Sequence, residues 1–149
     1  MTFPEATFIK KPAVEGGKKI YVEYANIPLA FDIEAYSFRD PEGTPHATMW
    51  GWGFGIGDDQ VTIGRTWPEF LQLLDELVDA WDLGELRRCI IWVHNLSYDW
   101  QFFRKYMTWS QVFCLEPRHV VYARDVRGIE FRCSFVLSGL SLEKTGENL

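Results

Sequence analysis

The sequence predicts an α/β fold built on a mixed sheet, with antiparallel hairpin strands followed by a parallel strand and helices flanking them. Three observations predict it. "PLAFDIEAYSF", "HATMWGWGFGIG" and "QVTIGR" alternate or run apolar between turn residues, as strands do. "WPEFLQLLDELVDAW" then repeats its apolar residues at helical spacing. After it, "RCIIWVHN" is a short continuous apolar run, the pattern of a central strand covered on both faces.

Taken in order, residues 1–19 carry Pro4, Pro12, Gly16, Gly17 and four lysines and are expected to form an irregular N-terminal arm. "KKIYVEY" alternates like a half-buried strand, and "PLAFDIEAYSF" starts just after Pro28, where a strand tolerates proline. "RDPEGTP" is a turn, and "GDD" joins the next two strands as a hairpin, which places three antiparallel strands side by side. Thr66 opens a helix, with Pro68 in the first turn and Glu69 completing a capping box. Phe70, Leu71, Leu74, Leu77, Val78 and Trp81 form its apolar stripe, and Asp75, Glu76 and Asp79 its solvated face. Ser97 is the expected N-cap of a second helix, "YDWQFFRKYM". "SQVFCL", "HVVYARDV" and "GIEFRCSFV" read as strands, the last two joined by a "DVRG" turn, and "SGLSLEKTGENL" as the start of a helix or a linker.

At 149 residues and 47% hydrophobic, the chain is sized for one packed core. Its net charge of −6 argues against a general phosphate-coating surface while leaving room for a local basic groove or a metal-mediated phosphate contact. Cys89, Cys114 and Cys133 are widely spaced and suggest neither a disulfide framework nor a zinc knuckle, so a reducing, cytoplasmic setting is expected. No apolar run reaches membrane-spanning length, and no signal peptide is evident.

One feature of the apolar strand is electrostatically costly. Asp32 and Glu34 lie at positions i and i+2 and leave the same face. At a separation of about 5 Å such a pair repels by about 3 kcal/mol at an effective dielectric near 20. Asp99 sits just past the end of the "IIWVHN" strand, where sites gather in open α/β sheets, and is expected to approach that face. Three converging carboxylates without basic partners match the oxygen ligands of Mg²⁺ or Mn²⁺. Plainer readings stand beside this one. An acid in a first helical turn is favoured by the dipole alone, Asn95 suits a turn, and His94 suits a satisfied core position.

"FDIEAYSF" resembles the D-x-E motif of proofreading 3′→5′ exonucleases. "HNLSYDWQFF" resembles the second motif, N-x-x-x-D, in the form found in protein-primed family B DNA polymerases of bacteriophages and linear plasmids. The likeness covers residues 28–149 and implies a ribonuclease-H-like fold, with residues 20–149 as part of a 3′→5′ exonuclease domain. It implies Asp32, Glu34 and Asp99 as catalytic metal ligands for Mg²⁺ or Mn²⁺, two ions in the complete domain. It further implies that His94, Asn95 and Tyr98, with Phe102 or Phe103, hold the 3′ end of single-stranded DNA. Ser134 and Phe135 resemble a DNA-binding serine and leucine, with Phe135 in place of the leucine and Cys133 where an aspartate often occurs. Trp100, Phe103 and Met107 have the spacing of core residues.

The family's third motif, Y-x-x-x-D, has no counterpart in the expected place. Only Tyr36 and Asp40 show that spacing, directly after the first motif and in the wrong order. The chain is therefore expected to be an incomplete domain of a longer polymerase, weakly active or inactive alone. Its partners would be single-stranded DNA, the rest of the polymerase and a primer terminal protein, in the host cytosol if phage-encoded. A stand-alone ribonuclease-H-like nuclease and a catalytically incomplete binding module are the alternatives.

Overall fold

Strand β3 (Leu29–Arg39) carries the sequence alternation into three dimensions, with Leu29, Phe31 and Ile33 buried and Ala30, Asp32 and Glu34 exposed on the other face. In the computed structural model, which describes residues 2–135, β3 is hydrogen-bonded to β4 (Pro45–Ile56). That strand in turn pairs with β5 (Gln60–Gly64), both pairings antiparallel. On its other edge β3 runs parallel to β6 (Arg87–Val93), and β6 parallel to β9 (Ile129–Cys133). Two further antiparallel strands, β8 (His119–Asp125) and β7 (Trp109–Glu116), complete the order β5-β4-β3-β6-β9-β8-β7. The expected antiparallel trio and central parallel strand are both present.

Residues 1–19 do not form an irregular arm throughout. β1 (Phe8–Glu15) pairs with β2 (Lys18–Ala25) as a regular antiparallel hairpin. Gly16 and Gly17, with φ of 58° and 76°, form its two-residue turn. Positive φ at both central positions matches the right-handed twist of a hairpin, so these glycines turn a strand rather than break one. Pro12 is tolerated because β1 pairs on one side only. β2 joins the main sheet through the start of β6 (Glu23↔Arg87, Tyr24↔Arg88), and β3 follows along the same edge from Ile91 to Val93.

Helix α1 (Trp67–Trp81) begins as expected. Glu69 N donates to Thr66 Oγ1, and Thr66 N donates to Glu69 Oε1 at 3.1 Å. Trp52 Nε1 donates to the Thr66 carbonyl at 2.9 Å and ties this cap to the sheet. Its buried stripe is Phe70, Leu73, Leu74, Leu77 and Trp81, with Leu73 rather than Leu71 facing the core. Helix α2 (Leu96–Phe103) is capped by Asn95, not Ser97. Asn95 takes a left-handed conformation (φ 61°), which asparagine tolerates better than most residues, so the chain turns one step after His94 and the helix starts at Leu96. Ser97 Oγ instead donates to Asn95 Oδ1 at 3.1 Å.

Both helices cover one face of the sheet. Phe70 of α1 stacks on Phe31 at 4.2 Å, and Phe103 of α2 meets Phe31 edge-on at 5.9 Å and Phe131 at 4.9 Å. The "DVRG" turn forms around Asp125, whose Oδ1 accepts from the backbone of Arg127 and Ile129, both at 3.0 Å. No described helix is long and apolar enough to cross a membrane. The stretch "SGLSLEKTGENL" lies outside the described residues.

Candidate metal and nucleic-acid site

The pairing of β3 with β6 stops at Phe31↔Val93, while β3 itself continues to Arg39. Helix α2 starts just after β6 and brings Asp99 to the part of β3 that β6 leaves uncovered. The Ile33 amide, between Asp32 and Glu34, stabilises the charge of the Asp99 carboxyl, while the charges of Asp32 and Glu34 oppose it.

The two strand acids have open surroundings. Asp32 stands opposite Gly53 and Glu34 opposite Gly51 on β4, so no neighbouring side chain crowds either carboxylate from that strand. A β-bulge follows at Glu34/Ala35 and bends the strand directly after the second acid. Bulges of this kind often re-aim side chains beside sites.

Asp99 is different: it is only 3% exposed. Burial first, and the charge of Asp32 next, push its pKa from 3.8 up to about 7, against the stabilising Ile33 amide. Its Oδ2 is buried with no hydrogen-bond partner among the described residues. A buried carboxylate oxygen without a donor carries a desolvation penalty that a proton or a cation relieves. That orphaned oxygen, next to two further carboxylates, fits a hard divalent cation. The structure couples the three acids through their charges, yet among the described residues no three acid, histidine or cysteine side chains close into a ligand set. The three carboxylates are thus related by their charges, without a formed cage among the described residues.

The expected DNA-contacting residues separate into groups. His94 Nδ1 lies 3.0 Å from Ser134 Oγ, and Phe135 meets the His94 ring edge-on at 5.3 Å, so two segments forty positions apart come together. His94 and Ser134 line, with Asp32, Gly53, Gly55 and Trp92, a groove of about 420 Å³ on the sheet face away from the helices. Asn95 and Tyr98 are exposed, and Phe102, half-buried, packs edge-on against Tyr98 at 5.4 Å. Phe103 does not belong with them. It is fully buried among Phe31, Trp100, Trp109 and Phe131, as the sheet-facing position of α2 requires. Tyr36 and Asp40 form no second site; Asp40 Oδ1 accepts from Thr44 N at 2.8 Å and its Oδ2 lies 2.9 Å from His46 Nε2, within a turn.

A larger groove, about 760 Å³, lies between the start of α1 and the end of α2, beside the β4 residues that pair with β3 just beyond Glu34. Arg65, Trp67, Phe102, Lys105 and Tyr106 line it, and the rings of Trp67 and Tyr106 stack at 5.5 Å. Cations interleaved with aromatic rings suit a single strand, whose phosphates and bases need both. The sequence reading passed over Arg65, Trp67, Lys105 and Tyr106. The adjacent basic and aromatic residues of "GRTWP" and "FFRKYM" were the available signal.

Compared with family models, curated proteins and solved structures, the chain matches none.

Proposed function

We propose that this chain carries part of a metal-dependent 3′→5′ proofreading exonuclease domain acting on the 3′ ends of single-stranded DNA, of the kind found in protein-primed family B polymerases. The single observation that carries the reading is the buried, unpartnered Oδ2 of Asp99 beside the D-x-E strand. The order β5-β4-β3-β6-β9, antiparallel and then parallel, supports a ribonuclease-H-like arrangement. Asp32, Glu34 and Asp99 would hold Mg²⁺ or Mn²⁺, and such ions supply an activated water and charge stabilisation at the leaving oxygen. The chain's own residues do the rest. The glycines opposite the acids keep the approach open, His94 and Asn95 flank the turn into α2, and the exposed Tyr98 and half-buried Phe102 offer ring faces to terminal bases.

A second reading, a binding module that holds single-stranded ends without cutting them, is favoured by the open ligand set among the described residues. One pair of measurements separates the two. Mn²⁺ titrated by calorimetry should bind the wild-type chain and not an Asp32→Ala, Glu34→Ala double variant; equal binding to both removes the metal reading. A labelled single-stranded oligonucleotide retained equally with Mg²⁺ and with EDTA, and never shortened, points to the binding module. Slow cleavage that needs the metal and disappears in Asp99→Asn supports the nuclease.

A further inference from the structure

Hairpin β1–β2 lies against the half of the sheet remote from the carboxylates, and an ion network ties it there. Glu130, fully buried on β9, accepts from Arg88 at 3.3 Å, from Arg132 at 2.6 Å and from the Tyr24 hydroxyl at 2.6 Å. Glu15, at the end of β1, has one oxygen shared between Arg88 (2.9 Å) and Arg124 (2.7 Å). Three guanidiniums thus face two carboxylates, which leaves one positive charge unmatched in a chain whose overall charge is −6.

The mismatch falls on Arg124. Arg88 is fully engaged, because its Nε also donates to the Glu85 carbonyl at 2.7 Å. Arg124 is nearly as buried, 6% exposed, but only its Nη1 is used, and its Nε and Nη2 have no partner among the described residues. Neither nitrogen is shut away from water, since among the described residues Asp99 Oδ2 is the one buried side-chain nitrogen or oxygen without a partner, so a ligand can reach both. Arg124 lines a cavity of about 490 Å³ together with Glu15, Gly16, Arg88, Ser110 and Tyr122. The Tyr122 hydroxyl has no hydrogen-bond partner among the described residues either, and burial, with the Glu130 charge behind it, pushes its pKa up to about 12, so it remains a proton donor. Ser110 is the extra residue of a β-bulge in β7, opposite the Arg124–Asp125 step of β8, which leaves it out of the ladder.

We propose that this cavity is a binding site for a phosphate-class oxoanion, held by the fork of Arg124 with the hydroxyls of Tyr122 and Ser110. An arginine fork with free Nε and Nη2 matches two oxygens of a phosphate. Glu15 is the opposing charge in the site and weakens the anion's hold. The site is separate from the carboxylates, and its test does not depend on the nuclease reading. The phosphate belongs either to a free anion or to a nucleic-acid strand.

The experiment titrates inorganic phosphate, against chloride at equal ionic strength, and follows the melting temperature and calorimetric heat of the whole chain. Saturable binding is expected in the wild type, at least tenfold weaker in Arg124→Gln and several-fold tighter in Glu15→Gln, which keeps an acceptor for Arg124 and removes the competing charge. Tyr122→Phe leaves every ion pair in place and should weaken binding several-fold, so the site stays testable if Arg124→Gln fails to fold. A rise in melting temperature that never saturates, that is the same in all variants, or that shrinks in Glu15→Gln overturns the proposal. Phosphate displaced by a 5′-phosphorylated oligonucleotide supports the site with a nucleic-acid strand as its ligand; phosphate that stays bound supports it with a free anion.

Discussion

Asp99 and Asp32 are coupled through their charges where β6 ends and β3 continues, a buried helix acid beside an exposed strand acid. Among the described residues the buried Oδ2 of Asp99 has no hydrogen-bond partner. The consequences are measurable in stability.

In EDTA, the chain should lose stability as pH rises from about 5 to 8. Asp99 holds its proton more tightly when folded (about 7) than at its ordinary 3.8, so its contribution is full below about 4 and lost as pH climbs through 7. The loss is on the order of 4 kcal/mol at most, at 1.36 kcal/mol per unit. Glu15, Glu69 and Asp40 are shifted the opposite way and act below that window. Urea unfolding at pH 5, 6.5 and 8 checks this, with Asp99→Asn expected to give a nearly flat profile. A wild-type chain that grows more stable from pH 5 to 8 would contradict it.

Tyr98→Ala and Phe102→Ala should weaken single-stranded DNA binding by about 1–3 kcal/mol each, as lost base stacking does, with little change in melting temperature. Phe103→Ala should instead cost about 3–5 kcal/mol of stability, because its ring fills the centre of the helix–sheet interface. Fluorescence anisotropy and thermal melts on the same three variants separate the two roles. Similar effects from all three would merge Phe103 back with its neighbours.

Glu130→Ala should destabilise by about 3–5 kcal/mol, since it removes the buried carboxylate that pairs with both Arg88 and Arg132 and leaves Arg88 to share Glu15 with Arg124. Glu130→Gln, which keeps an acceptor for the Tyr24 hydroxyl, should be milder. Chemical denaturation of both variants provides the comparison, and a neutral Glu130→Ala would show that the network contributes nothing net.

Gly64→Ala should cost about 1–3 kcal/mol through overpacking. A Cβ there would sit 2.1 Å from the Trp52 indole, which cannot retreat without losing its bond to the Thr66 carbonyl. The pair Gly64→Ala, Trp52→Phe should recover part of the loss, and additive effects would mean that the clash is not the cause.

Local signals were the ones legible along the chain. The capping box of Thr66 and Glu69, the apolar run of β6 and the "DVRG" turn each depend on residues within a few positions of one another, and each is present. Of the hairpin at residues 8–25 the second strand was read and the first was missed, because Pro12 and the Gly16-Gly17 pair resemble breakers until a pairing partner is known. The N-cap was placed two residues late because Ser97 has the better capping side chain, whereas the tight exit from β6 calls for a left-handed residue at Asn95. Phe102 and Phe103 are neighbours with the same chemistry, and only the packing of α2 against β3 and β9 tells the buried ring from the one at the groove.

What the order of residues determined, without any coordinates, was the alternation that puts Asp32 and Glu34 on one face, the trio of antiparallel strands, and the helix that must follow them, because periodicity and capping act over a few residues. The burial of Asp99, its coupling to Asp32, the meeting of His94 with Ser134 and the spare donors of Arg124 were decided in the folded chain. Each depends on how far one strand outruns another and on which charges are shut away from water together, and those distances exist only once segments remote in sequence have packed.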